Sequence, residues 1–285
     1  MAPRSYPRLS IEDFGAQLLK SGDIDPVYIA LNAMEWSEVQ RNRWLVAYIS
    51  FYHPGLASWL SEAEGLDFWE LMMTAAVNEE VSPIGARFPR APERRHFRGE
   101  NAVKSVDYMR TRYGKYPQAM MDYICGPMTY EGVTSYKDIQ GRALEHYGIG
   151  AWACYKLADL AERCCGVPLV WTEADAMYES PQRGALAIWR AKLGYSEEAQ
   201  PKDRAKAIHD VVQYLLDHFK DYDAPGGGRK FGLPEVETCC CKYLSHLNGH
   251  YGPNNDLIEI KKGLDQWRLK SETADRLIYY FPKVL

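Results

Sequence analysis

The chain has 285 residues, 46% of them hydrophobic, and a formal net charge of −4. That is enough apolar material for one large core or two smaller ones. No apolar run approaches the ~18 residues of a membrane helix, and the start, MAPRSYPRLSIEDF, has no apolar leader segment. The expectation is therefore a cytoplasmic protein without a membrane partner. The seven cysteines are odd in number, and five stand in adjacent runs, Cys164-Cys165 and Cys239–Cys241. Such runs make a poor disulfide framework and lack the spacing of zinc or iron–sulfur ligands, so they predict a reducing compartment and mostly buried thiols.

In chain order the pattern predicts helix after helix and few or no strands. Ser10 opens the first helix as an N-cap. Asp25-Pro26 opens a longer one, with Pro at the first helical position, running through NAMEWSEVQRNRWLVAYISFY to His53-Pro54. Two shorter helices follow, ending near Asn78. Residues 81–92, with three prolines and a glycine, predict a loop. From Arg87 to Lys115 there are nine Lys/Arg against three acids. That segregated basic stretch is the footprint expected of a phosphate-bearing partner, and a helix over 101–113 carries part of it. Further helices are expected over 135–146, 151–164, 181–193 and 202–220, then a glycine-rich loop over 224–230. Pro234 starts another, and Asn254-Asn255-Asp256 caps the last. The expected organisation is one helical domain over 1–285, or two intimate helical lobes with the active site between them.

Three segments can carry chemistry. Tyr147-Gly148-Ile149-Gly150 joins two predicted helices; its glycines permit a tight turn and a close approach of backbone N–H groups to an anion. It reads equally as a plain helix–helix turn. Glu93-Arg94-Arg95-His96-Phe97-Arg98-Gly99 supplies three bidentate guanidinium forks and a histidine, suited to a dense phosphate group or to a solvated basic loop. In Glu237–Tyr251 (ETCCCKYLSHLNGHY), helical spacing places Glu237, Cys241 and Ser245 on one face and Lys242 with His246 beside it, while Asn248 and His250 stand at the helix end. The cluster is catalytic or it is structural. His246 and His250 also have metal-ligand spacing, but the carboxylate of an H-E-x-x-H arrangement is missing and Gly249 ends the helix, so no metal site is assigned. The chemistry is expected where the Glu93–Gly99 and Glu237–His250 runs meet.

The stretch around Tyr147–Gly150 resembles the helix–hairpin–helix region of the DNA glycosylase superfamily, where a G-x-G hairpin holds a DNA backbone phosphate. In those enzymes a catalytic aspartate follows some twenty residues on. Here Trp171 takes its place, with Glu173 and Asp175 nearby, which leaves N-glycosidic cleavage in doubt.

Taken together and in order, ERRHFRG, Y-G-I-G-A-W and E-V-E-T-x-x-C-K-x-x-S-H-x-N-G-H-Y resemble the amino acid:DNA transferases of bacterial viruses, also called α-glutamyl/putrescinyl thymine pyrophosphorylases. The resemblance spans roughly Asn32 to Leu264. It implies an all-α, DNA-glycosylase-like helical fold with a helix–hairpin–helix element, working in the cytoplasm of an infected bacterial host. The implied reaction is thymine hypermodification. Pyrophosphate on 5-(pyrophosphoryloxymethyl)deoxyuridine in double-stranded DNA is displaced by the amine of a free amino acid or polyamine. Displacement is direct or passes through a methylene intermediate. Glycine is favoured over glutamate or putrescine because nothing predicts a pocket for a large acidic side chain.

Onto that reaction the residues map as follows. Tyr147, Gly148, Ile149 and Gly150 would hold a DNA phosphate. Arg94, Arg95, His96, Arg98, Lys242, Asn248 and His250 would bind the pyrophosphate and substrate. Glu93, Glu237, His246 and Asp175 would do the acid–base work. No cofactor is implied beyond Mg2+ carried by the pyrophosphate. Two other readings compete: a glycosylase for a modified base using Asp175 or Glu173, and a non-catalytic DNA-binding module.

Overall fold

A computed structural model describes residues 6–94, 97–126, 134–193, 195–196 and 199–283. The protein is all-α. Among the described residues the named strands are two-residue segments, Thr134–Ser135 and Leu169–Val170, paired in parallel. None of the described helices is long and apolar enough to cross a membrane. The chain forms two compact units: one of Met1–Ile29, Trp171–Ile258 and Pro282–Leu285, the other of Ala30–Val170 and Glu259–Phe281.

In the first unit, helices Ile11–Ser21, Glu179–Leu193, Arg204–Phe219 and Leu233–Leu247 enclose a core that includes Phe14, Leu18, Leu215, Phe219, Val236 and Cys240. Ser10 caps the first helix, its side chain accepting from Asp13 N–H. Pro234 occupies the first turn of Leu233–Leu247. That helix packs closely on Glu179–Leu193 because Gly184 leaves room for the Cys240 backbone. A Cβ at Gly184 would lie 2.1 Å from the Cys240 carbonyl oxygen.

The second unit is organised around Glu38–Phe51, whose residues from Asn42 to Phe51 are all buried. Within it Trp44 Nε1 donates to Ser58 Oγ at 2.9 Å. Along this helix Trp44, Tyr48 and Tyr52 stack ring on ring at 4.7 Å, and Trp152 meets Tyr52 edge-on at 4.9 Å. Tyr52 ends the helix at φ 52, a left-handed conformation uncommon for a bulky residue.

The long helix expected from Asp25-Pro26 is two helices, Pro26–Ala33 and Glu38–Phe51. The Ser37 side chain accepts from Gln40 N–H and starts the second, so the segment before it leaves the helical path. The helix after Asn254 is not the last; Glu272–Tyr279 follows.

His53 caps Pro54–Ser61, Nδ1 accepting from Leu56 N–H at 3.1 Å, and burial lowers its pKa to about 4. An unfolded histidine protonates near 6.5. The stabilisation is therefore complete above about pH 6.5 and is lost as pH falls through about 4. For a partly buried group this is worth about 2 kcal/mol. His53→Asn caps without titrating, so urea denaturation should show the fall in stability between pH 7 and 5 reduced by about 2 kcal/mol.

Candidate functional site

The hairpin segment joins helices Tyr136–Leu144 and Ala151–Cys165, which pack against each other. A capping box, Ser135 with Asp138, begins the first. The turn is fixed from outside: Ser105 Oγ donates to the Tyr147 carbonyl at 2.7 Å, and Ile149 N–H donates to His146 O at 3.1 Å. Gly148 sits at φ 83, where a Cβ would come within 3.1 Å of Ser105 Oγ. Gly150 begins Ala151–Cys165 with extended backbone, and no side chain caps that helix. A Cβ on Gly150 would meet nothing within 4 Å. The helix N-terminus thus presents N–H groups and the positive end of its dipole at an open position. Tyr147 is largely exposed, its hydroxyl donating to Asn101 Oδ1 at 3.2 Å.

The basic run approaches the hairpin within the same unit. Glu93, Arg94, Phe97 and Asn101 line a cavity of about 430 Å³ with Tyr147, Gly148, Gly150 and Trp152. Arg94 ends the 3-10 turn Pro92–Arg94 and turns inward, only 7% exposed. Its Nε donates to Ser50 O at 3.0 Å, its guanidinium lies 4.9 Å from the Phe97 ring centre, and one terminal nitrogen is buried without a partner among the described residues. Burial lowers its pKa to about 10. Glu93 beside it is exposed. Phe97 is buried edge-on against Phe51 and anchors the segment. Arg95 and His96 lie outside the described residues.

Arg98 is exposed at the N-cap position of Gly99–Tyr113. With Arg87 and Arg90 it lines a second cavity, of about 540 Å³, that contains no carboxylate among its described lining residues. Arg90 donates to the Phe97 and Ala75 carbonyls, and its pKa is lowered by burial and then by the charge of Arg98. Arg87 and Arg90 were counted in the basic stretch by sequence but not assigned to a site, since a proline-rich loop hides which side chains converge. Asn101 and Trp152 were likewise missed, although Trp152 closes the Y-G-I-G-A-W motif.

The late helix belongs to the other unit and its residues are differently employed. His246 is buried, and both ring nitrogens are engaged: Nε2 accepts from Leu9 N–H at 3.0 Å, and Nδ1 bonds the Tyr251 carbonyl at 2.9 Å. Phe14 stacks on the ring at 4.7 Å. In this arrangement neither nitrogen is open to take a substrate proton or hold a metal. Lys242 also turns inward, its amine 2.7 Å from Asp256 and donating to the Asp23 carbonyl. Glu237 is buried and accepts from Tyr178 Oη at 2.7 Å and from Thr238 Oγ1 at 3.2 Å, with the Cys241 thiol at 3.5 Å. The expectation that these side chains share one open wall is corrected: the Lys242 and His246 side chains bond inward to the 9–23 and 251–256 segments, and Glu237 bonds to Tyr178. Asn248, the helix C-cap, and His250 are exposed.

Asp175 is the third residue of a one-turn helix, Glu173–Ala176. Its carboxylate accepts from Thr172 N–H at 2.9 Å and from Thr172 Oγ1 at 2.7 Å, closing a capping box. Glu173 bonds His209 Nδ1 at 2.8 Å. The two carboxylates from which a glycosylase reading would draw its catalytic group are thus a helix cap and a hydrogen-bond partner of His209.

Residues 16–251 match the family model described as amino acid:DNA transferase. The chain is 39% identical to a glycinyltransferase of Pseudomonas phage PaMx11, with 99% of each chain covered. It is 24% identical to a putrescinyltransferase of Delftia phage PhiW-14, with 93% of this chain and 81% of the relative covered. A family match over most of the chain, with an end-to-end relative at this identity, places the protein among the amino acid:DNA transferases.

Proposed function

We propose that the protein completes a thymine hypermodification by displacing pyrophosphate from 5-(pyrophosphoryloxymethyl)deoxyuridine in DNA with the amine of glycine. The observation that carries this reading is the cavity of Arg87, Arg90 and Arg98, three arginines with no carboxylate among its described lining residues, on the segment that also reaches the hairpin. Pyrophosphate departs with several negative charges, and fixed guanidinium groups stabilise charge that develops in the transition state. Mg2+ travelling with the pyrophosphate would share that task. The uncapped N-terminus of Ala151–Cys165 suits a strand phosphate, and Tyr147 and Trp152 offer aromatic faces to a base turned out of the duplex. The similarity to a protein named glycinyltransferase supports glycine as the amine.

In the transfer the ammonium first gives up one proton to solvent or a base, and the unprotonated nitrogen then forms a bond to the exocyclic methylene carbon. The carbon–oxygen bond breaks with its electron pair leaving on pyrophosphate, and the surplus N–H proton passes to a base. Glu93, an exposed residue lining the cavity beside the hairpin, is the candidate base. Incubation with pyrophosphorylated DNA and glycine, glutamate or putrescine, followed by nucleoside mass analysis, tests the reading. The expected product is a glycine-bearing thymidine with one pyrophosphate released per modified base and intact strands. Strand-cleavable abasic sites without pyrophosphate would favour a glycosylase instead. Arg87→Ala with Arg98→Ala, both at exposed positions, should slow transfer by roughly 100-fold or more without shifting the unfolding midpoint.

A further inference from the structure

We propose that the cavity lined by Glu93, Arg94 and the hairpin is the pocket for the incoming amino acid, received as a zwitterion with its carboxylate on Arg94 and its amino group towards Glu93. The proposal rests on the transferase reading and assigns that reaction's second substrate to a place. It begins from an uncompensated charge. Arg94 is 93% buried, its Nε is spent on Ser50 O, and one terminal nitrogen has no partner among the described residues. Burial alone lowers its pKa, with no carboxylate acting in the opposite sense. A buried cation without a counter-ion is unfavourable by several kcal/mol, so the site is primed for an anion, and a guanidinium fork matches a carboxylate in two parallel hydrogen bonds.

The sign of the lining then selects the ligand. Among the described residues this cavity is lined by one cation and one carboxylate, Arg94 and Glu93. Among the described residues the neighbouring cavity is lined by three arginines and no carboxylate. A polyanion suits the second, and a zwitterion the first. The two charges are also ordered in depth, since Arg94 is buried while Glu93 is exposed. An amino acid held this way has its carboxylate inside and its amine at the mouth, beside the hairpin that faces DNA. A volume of about 430 Å³ lies within the ~300–1,000 Å³ of small-molecule sites, with Phe97 and Trp152 as apolar walls. An amine without a carboxylate leaves Arg94 uncompensated, so the pocket discriminates against simple amines and polyamines by leaving a buried polar group unmet.

The test compares glycine with methylamine, which has the amine and lacks the carboxylate. In steady-state transfer, Arg94→Gln should raise the KM for glycine by roughly 30-fold or more, so that the preference for glycine over methylamine collapses. Arg94→Lys, which keeps the charge without the fork, should fall between. Equal changes in both KM values, or none, would overturn the proposal. A second measurement needs neither DNA nor a variant: glycine should raise the melting temperature of the wild-type protein, and methylamine or acetate at the same concentration should not. Equal shifts with glycine and methylamine would overturn it even if Arg94→Gln fails to fold. Specific glycine stabilisation without any transfer would leave the pocket standing and remove the transferase mechanism, so the two failures are distinguishable.

Discussion

Lys242→Met should lower the stability of the unit that contains it by about 3–5 kcal/mol, the usual consequence of removing one partner of a buried charge pair. The amine lies 2.7 Å from Asp256 and donates to the Asp23 carbonyl. Asp23 itself is fully buried, its carboxylate accepting from Leu257 N–H at 2.7 Å and Tyr251 Oη at 2.8 Å. Burial works against the charge of Lys242, but Asp256 and Asp23 outweigh it and hold its pKa above the usual lysine value. Methionine replaces the stem and removes the cation, leaving Asp23 a buried carboxylate with neutral donors alone. Burial already raises the Asp23 pKa, so the penalty should be largest at neutral pH and shrink as acid protonates that carboxylate. Urea denaturation reads the effect. A substrate-binding lysine would behave otherwise, keeping the unfolding midpoint and losing affinity for pyrophosphorylated DNA.

Gly184→Ala should cost about 3 kcal/mol or more, above the common range for overpacking, because the obstacle is backbone. Alanine is the better helix former by about 1 kcal/mol, so propensity alone predicts a gain. Packing reverses the sign. The new Cβ would stand 2.1 Å from the Cys240 oxygen and 2.5 Å from its carbonyl carbon, and no rotamer relieves a main-chain contact. Helices Glu179–Leu193 and Leu233–Leu247 must move apart, opening the core around Val236, Cys239 and Cys240. Gly141 supplies the control. It lies on an exposed face of Tyr136–Leu144 with nothing within 4 Å of a Cβ, so alanine there should stabilise by about 0.4–1 kcal/mol. Opposite signs for the same substitution, read from thermal midpoints, are the expected result.

The helical class and most helix starts were legible because they depend on neighbours in sequence. Ser10, Ser135 and Pro234 act where their local pattern puts them. The break before Ser37 was not legible, since the apolar spacing runs on through it. The candidate site divided in the same way. Helical spacing correctly placed Lys242 and His246 one turn apart, but not what the turn faces. That is decided by Leu9 and Asp23, more than 200 positions away. In ERRHFRG the sequence offered three equivalent arginines. Arg94 turns inward only because Ser50 O and Phe97 receive it, and Arg98 joins Arg87 and Arg90 only because the proline-rich loop folds back beside it.

Among the described residues, the two cavities on the 87–101 segment have no lining side chain in common. On the proposed assignment, substitutions at Glu93 and Arg94 would change which amine is accepted while leaving the three arginines of the other cavity untouched. A lineage could exchange one donor for another by drift at two adjacent codons, with the ancestral chemistry of departure carried along unchanged. If the assignment holds, that separation would give one scaffold a short mutational path from accepting an amino acid to accepting a polyamine.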